Sequence, residues 1–443
     1  MKTNCIKIAL LALCAAVILP CCTADSDSTP TPELTISSYS ESLSTYEATS
    51  FTIDIDANAA VSVSSNRSWC QVASEAATGE FTVSTTTNTG RFERSAKVTF
   101  ANGELTQTLT VTQPKGEYTA GMRYEIPVIF HVIYSDSTSE QHNPDSSVIY
   151  EIFDNLSAVY EDCSQDLGID FILAEEDEDG VTLDEPGINR IQQSLYQISC
   201  LDLMYDSYGK YKYLAWDPRM YLNVTMYEFN DSYEIIGLSR APYLVDPYEL
   251  EGVSTLNAYT HPDDLNFIYT ISLNNSYLFP DDPDAYNMYE FGDMLAHEIG
   301  HYLGLFHPYS ETYDKYGTYN SCDDTDYCED TPSYNRYTYE EEMFYTNMYY
   351  TFNDEEVESL SWRTSCSDSS IFRADNIMDY AVNDADTFSA EQASRMRYIL
   401  ESCPYIPGCK STDYEALQAA PAGFSSVDFP VNIHVHKPVH VAH

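Results

Sequence analysis

The chain has 443 residues, 43% of them hydrophobic, enough for two or more domains with cores of their own. Its formal net charge of −49 at pH 7, from 70 Asp and Glu against 21 Lys and Arg, excludes nucleic acid as an expected partner, because phosphates would be repelled. The same charge admits cation sites and basic substrates, although most of the carboxylates are expected on a solvated surface.

Lys2 and Lys7 flank the start of an apolar run from Ile8 to Leu19, too short for a typical membrane span and of signal-peptide length. The run ends Leu19-Pro20-Cys21-Cys22, which resembles a bacterial lipobox, L-x-x-C. Residues 1–22 therefore read as a lipoprotein signal peptide, with Cys22 as the lipidated residue and Cys21 as the alternative. An ordinary secretion signal with incidental cysteines is the competing reading. Asp25 and Asp27 resemble the acidic signal that sends some bacterial lipoproteins to the outer face. The expected location is the outer membrane or cell surface of a Gram-negative bacterium. Residues 23–33, rich in Ser, Thr, Pro and Asp, read as a flexible tether.

From 34 to 114 the pattern is one of short alternating runs, such as Phe51-Thr52-Ile53-Asp54-Ile55, Val61-Ser62-Val63, Phe81-Thr82-Val83 and Leu109-Thr110-Val111. Apolar residues at every second position between turn-rich gaps predict a small antiparallel β-sandwich of Ig-like type, with Trp69 in its core.

Residues 121–410 read as an α+β catalytic domain. Strands are predicted over 128–134, 169–173, 221–227 and 266–273, and a helix over 148–167 with Ile152, Leu156, Val159 and Tyr160 on one face. The chemistry lies in His297-Glu298-Ile299-Gly300-His301-Tyr302-Leu303-Gly304-Leu305-Phe306-His307, an H-E-x-x-H-x-x-G-x-x-H string. On a helix His297 and His301 share one face and can hold one zinc ion. Glu298 lies beside the metal, where it can take a proton from a water and pass it to a leaving amine. A straight helix would carry His307 away; Gly304 can adopt the left-handed conformation that turns the chain back. Phe291, Leu295, Ile299 and Tyr302 form an apolar stripe beside the metal-binding face, and Asp293 adds a favourable charge near the helix start.

This string is the metzincin signature, and Asn376-Ile377-Met378-Asp379-Tyr380 resembles the Met-turn that follows it. The resemblance implies that Met378 floors the zinc site without binding it, and that Tyr380 binds zinc or stabilises the oxyanion; an ordinary packed tyrosine is the alternative. Within the metzincins, residues of about 120 to 405 resemble the pappalysin family. Arg123 to Tyr134 looks like that family's opening strand, Gly187-Ile188-Asn189-Arg190 like a family turn, and Asp330-Thr331-Pro332 like its D-T-P element. Phe388-Ser389-Ala390-Glu391-Gln392 and Arg395-Met396 resemble its last helix. Calcium near the acidic run Asp323, Asp324, Asp326, Glu329 and Asp330 is a further implication, with a solvated acidic loop as the alternative. The cysteine common just after the family's Met-turn is missing from 381–386. In the N-terminal domain, Ser68-Trp69, Asn88-Thr89-Gly90-Arg91, Arg94 to Val98 and Leu109 to Gln113 resemble a BACON module. That resemblance implies glycan contact, or a stalk that lifts the enzyme off the membrane.

Outside the leader, the eight cysteines Cys70, Cys163, Cys200, Cys322, Cys328, Cys366, Cys403 and Cys409 are an even set, which suggests disulfides in an exported chain. The family resemblance implies Cys322 with Cys366; proximity suggests Cys403 with Cys409. Residues 411–443, with His434, His436, His440 and His443, are expected to be a poorly packed, non-catalytic tail. Together these readings predict a lipid-anchored zinc endopeptidase acting on extracellular proteins or peptides. The alternative is a cell-surface glycan- or protein-binding lipoprotein whose protease domain is vestigial, against which the intact Glu298 counts.

Overall fold

The structure, a computed structural model, describes residues 31–73, 79–193, 197–206, 208–230, 235–265, 267–279, 291–312, 318–347, 360–379, 386–417 and 433–436. The leader 1–22, with Cys22, and Tyr380 lie outside the described residues.

The first eight strands are β1 (Leu34–Ile36), β2 (Ser40–Ser42), β3 (Thr49–Ala57), β4 (Ser62–Ser65), β5 (Cys70–Ala73), β6 (Gly79–Thr85), β7 (Arg94–Asn102) and β8 (Leu105–Gln113). They form two four-stranded sheets, β1-β3-β6-β5 and β2-β8-β7-β4. Inward residues at alternate positions, among them Ile53, Ile55, Phe81, Val83, Val98, Phe100, Leu109 and Val111, fill the space between the sheets. Trp69 departs from its expected place: it is only half-buried at the edge of this core, with the Arg94 guanidinium 4.3 Å from its ring centre. Cys70, next to it and fully buried, takes the core position instead.

The sandwich packs against the second module. Arg91, 8% exposed, donates to Gly408 O at 3.2 Å, Pro404 O at 2.9 Å and Ile406 O at 2.6 Å. Thr89 O accepts from Cys409 N, Thr89 Oγ1 accepts from Glu125 N, and Glu175 accepts from Ser68 N. Arg67 pairs with Glu176. A guanidinium buried at a joint needs acceptors on the far side, and three carbonyls of one loop supply them. A cavity of about 240 Å³ remains at this joint, lined by Trp69, Arg91, Arg94, Glu125, Glu175 and Tyr221 among others.

The second module begins with β9 (Tyr124–Tyr134), α1 (Ser146–Asp162), β10 (Ile169–Leu173), β11 (Ile188–Gln192), β12 (Gln197–Ile198), α2 (Cys200–Met204), β13 (Leu222–Phe229), β14 (Gly237–Arg240), β15 (Tyr243–Val245), β16 (Ser254–Leu256) and β17 (Ile271–Asn274). It continues with α3 (Phe291–Tyr302), α4 (Arg336–Asn347), β18 (Trp362–Thr364), β19 (Ile371–Arg373) and α5 (Ala390–Ser402), and the last described strand is β20 (Ile433–His436). The main sheet runs β10-β9-β13-β17-β14-β20, with β9, β10, β13 and β17 parallel and β14 antiparallel to β17. α1 and α3 cover one face and share its apolar core.

Helix α1 ends sooner than its apolar pattern suggests, because Cys163 is already extended and Gly168 turns the chain at φ +66° into β10. His131 on β9 is fully buried between Asn189 of β11 and Asn223 of β13, at 2.9 Å from each. Burial pushes its pKa down to about 4, so it serves as a neutral pin across three strands. Among the described residues beyond Ser411, some are packed. Tyr414 is 3% exposed with its hydroxyl donating to Ser402 O, and β20 joins the main sheet. Among the described residues no helix is long and apolar enough to cross a membrane.

Candidate metal centre

Helix α3 is buried along nearly its whole length, with Leu295, Ala296, Glu298 and Ile299 fully enclosed. It stops where the sequence predicts. Gly304 has φ +85°, its N–H donates to His301 O, and Leu305 N donates to Gly300 O, the paired bonds of a Schellman ending. The reversal returns His307 to the helix. Arg395 of α5 holds the turn by donating to Gly304 O at 3.1 Å and Glu251 O at 2.8 Å.

The three histidines meet. His297, His301 and His307 are each at most 3% exposed, and their ligating atoms lie within 4.8 Å of one another. His307 Nε2 is 3.1 Å from His301 Nε2 and 3.3 Å from His297 Nε2. The outer nitrogens fix the tautomers: His297 Nδ1 is 2.8 Å from Ile377 O, His301 Nδ1 2.9 Å from Leu305 O, and His307 Nδ1 2.7 Å from Glu311 Oε1. All three partners only accept, so each Nδ1 carries the proton and each Nε2 turns a lone pair inward. Three lone pairs this close repel unless a cation lies among them. Zinc at its usual ~2.0–2.1 Å from imidazole nitrogen, with tetrahedral angles, sets neighbouring nitrogens about 3.3 Å apart, so the residues fit the ion.

Glu298, next to His297 on α3, is fully buried, and neither carboxylate oxygen has a hydrogen-bond partner among the described residues. Burial pushes its carboxyl well above the usual carboxylate range; a nearby dication works the other way. The space around it is made by an absent side chain: a Cβ at Gly237 of β14 would stand 2.9 Å from Glu298 Oε1.

Met378 is fully buried under α3, as the Met-turn resemblance implies, and Gly300 is what lets it in: a Cβ there would be 2.2 Å from Met378 Sδ. Asn376 Oδ1 accepts from Met378 N, and its amide pairs with that of Gln392. Gln392 in turn completes a capping box with Ser389 at the start of α5. Asp379, 5% exposed, accepts from the Tyr334 hydroxyl and faces Arg363 Nε at 3.4 Å.

Several of these groups were missed in the sequence. Glu311 had a visible signal, an acid four residues past a metal histidine; Gly237 had none. Tyr309, stacked on His307 at 4.7 Å between ring centres, is two residues past that ligand. Replacing Glu311 by Gln leaves His307 Nδ1 a neutral partner. Metal affinity is expected to fall about 10- to 100-fold, read by competition with a chromophoric chelator. Unchanged affinity would mean that Glu311 does not support the ligand.

The cysteines divide. Cys322 and Cys366 form a disulfide, in agreement with the family resemblance. Cys403 and Cys409 do not pair, contrary to the expectation from proximity: the Cys403 thiol faces Tyr243 O inside the core of the second module, whereas that of Cys409 faces Gly90 O of the sandwich. Cys70, Cys163 and Cys328 are also free and buried, and Cys200 is buried.

The acidic run does not converge as a set. The Asp330 carboxylate accepts from Ser389 Oγ and Glu391 N at the start of α5, and Asp323 accepts from Ser321. Asp326 is 2% exposed and pushed up to about 7, mainly by burial. Among the described residues the only group of His, Cys, Asp and Glu placed to hold a metal is the histidine triad.

Comparison with known proteins gives two family matches. Residues 59–114 match BACON, described as an N-terminal binding domain, and residues 207–401 match Peptidase M43, described as pregnancy-associated plasma protein-A. Among solved structures, mature mirolysin of Tannerella forsythia in complex with a cleaved peptide is 22% identical, over 62% of this chain and 91% of that one, with a TM-score of 0.40. A Bacteroides thetaiotaomicron protein solved by NMR is 17% identical over 21% of this chain and 97% of that one, with a TM-score of 0.17. No curated protein sequence matches. The chain thus joins an N-terminal all-β module to an α+β protease module, and the Peptidase M43 match, which spans the histidines and the Met-turn, supports a metallopeptidase.

Proposed function

We propose that the protein is a zinc endopeptidase of metzincin type. The observation that carries this reading is the convergence of three inward lone pairs, on His297, His301 and His307, beside the unpartnered carboxylate of Glu298. Zinc held there would polarise the scissile carbonyl and make a water acidic enough to give up a proton at neutral pH. Glu298 takes that proton and delivers it to the leaving amine. Its enclosure against Gly237 keeps bulk water from competing for it. Tyr380, next after Asp379, is the proposed partner of the developing oxyanion, on the Met-turn resemblance.

The remaining assignments rest on sequence. Export, a lipid anchor at Cys22 or Cys21 and a cell-surface location are supported by the leader pattern. Calcium near Asp323–Asp330 rests on the family resemblance and the acidic run alone. Glycan contact by the N-terminal module is supported by the half-buried Trp69 at the cavity between modules. The binding-protein reading gains nothing from the structure, since a vestigial site has no need of an intact Glu298.

Purified full chain should carry one tightly held zinc and cleave an unfolded protein. Cleavage should stop with a chelator and return with added zinc. Zinc-loaded protein that cleaves nothing across a diverse peptide mixture would overturn the reading.

A further inference from the structure

Strand β14 borders the site and its free edge is taken by the chain's own C-terminal region. On one side β14 pairs antiparallel with β17; on the other it pairs antiparallel with β20, in the register Gly237↔His436, Leu238↔Val435, Ser239↔His434 and Arg240↔Ile433. The His436 end of β20 is therefore one strand spacing, about 4.8 Å, from Gly237. Gly237 is the residue whose missing side chain makes room for the Glu298 carboxylate.

We propose that β20 holds, in cis, the lane an extended polypeptide must take along β14 to bring a peptide bond past Glu298, so that the chain carries its own competing occupant. The proposal rests on the endopeptidase reading for its consequence, but not for the occupancy. A strand adds to a sheet edge through main-chain hydrogen bonds, which any extended peptide can supply whatever its sequence. The four described residues of β20 give few such bonds, and the entropy of ordering them offsets much of the gain, so their pairing is displaceable. That suits a competitor and does not suit a permanent part of the sheet. Such an occupant raises the apparent KM for peptides and leaves kcat alone, because the chemistry begins once it has left.

Three forms of the chain test this: full length, a chain ending at Leu417, and full length with His434→Pro and Val435→Pro. Successive N–H groups alternate between the two edges of a strand, so one of the two prolines removes a donor facing β14. Truncation and the double substitution are each expected to lower KM for an unstructured peptide about 3- to 10-fold at unchanged kcat. A fluorescent peptide of residues 430–440 should bind the truncated chain and bind the full-length chain more weakly. The same peptide, unlabelled, should inhibit the truncated enzyme competitively. Equal KM in all three forms, or equal binding of the peptide to both chains, overturns the proposal. If no form cleaves but the peptide still discriminates between truncated and full-length protein, the occupancy stands and the endopeptidase reading falls.

Discussion

Glu298→Gln is expected to keep zinc at full stoichiometry and to lose about 10²- to 10⁴-fold in kcat, the usual range for removing a positioned proton-transfer group. The substitution is nearly isosteric. Glu298 is fully enclosed between α3 and Gly237, so a larger or branched side chain would disturb the packing. The amide cannot accept the proton of an attacking water. Metal content measured on the same sample separates this loss from a loss of the ion, because the proposed ligands are His297, His301 and His307 and their outer nitrogens bond to groups other than Glu298. A fall in KM-independent turnover with zinc retained identifies Glu298 as the base. Turnover within a few-fold of the parent would remove it from the mechanism.

Asp379→Ala is the largest expected loss of stability, about 3–5 kcal/mol, because it removes the carboxylate that faces a buried guanidinium. Arg363 and Asp379 side chains are 0% and 2% exposed, and the Tyr334 hydroxyl loses its acceptor at the same time. The damage also reaches the metal: Ile377 O, two residues back on the same turn, is the acceptor that orients His297. Urea unfolding should show the lower midpoint, and zinc affinity should fall with it. Asp379→Asn keeps an acceptor for Tyr334 and is expected to cost less than the alanine variant. Equal stability of parent and alanine variant would show that the pair is not formed.

The site was largely legible in the sequence because its parts are local. His297, Glu298 and His301 are set by the pitch of one helix, and His307 by one left-handed glycine. The family-like fragments also found physical roles: Asn189 pins His131, Asp330 and Gln392 cap and tie α5, and Asn376 braces the Met-turn. What the sequence hid depends on distant partners. Gly237 touches Glu298 across 61 positions, Arg363 meets Asp379 from a separate strand, and Arg91 finds its acceptors on the far side of the chain. Cys403 and Cys409 show the same limit in reverse: six positions apart, they are turned into two different modules. Pattern reading also overran α1, since an apolar face continues past the point where the backbone leaves the helix.

The Arg91 joint has a consequence for how the molecule is made. Its three acceptors lie 313 to 317 residues downstream, at Pro404, Ile406 and Gly408. During synthesis the sandwich precedes them by more than 300 residues, and Arg91 must rely on water as its acceptor there until the last helix of the protease module has been translated. The bond closes only on a chain that has passed through the whole peptidase. A nascent or prematurely terminated product therefore presents to water the Arg91 guanidinium that the finished one holds under three carbonyls.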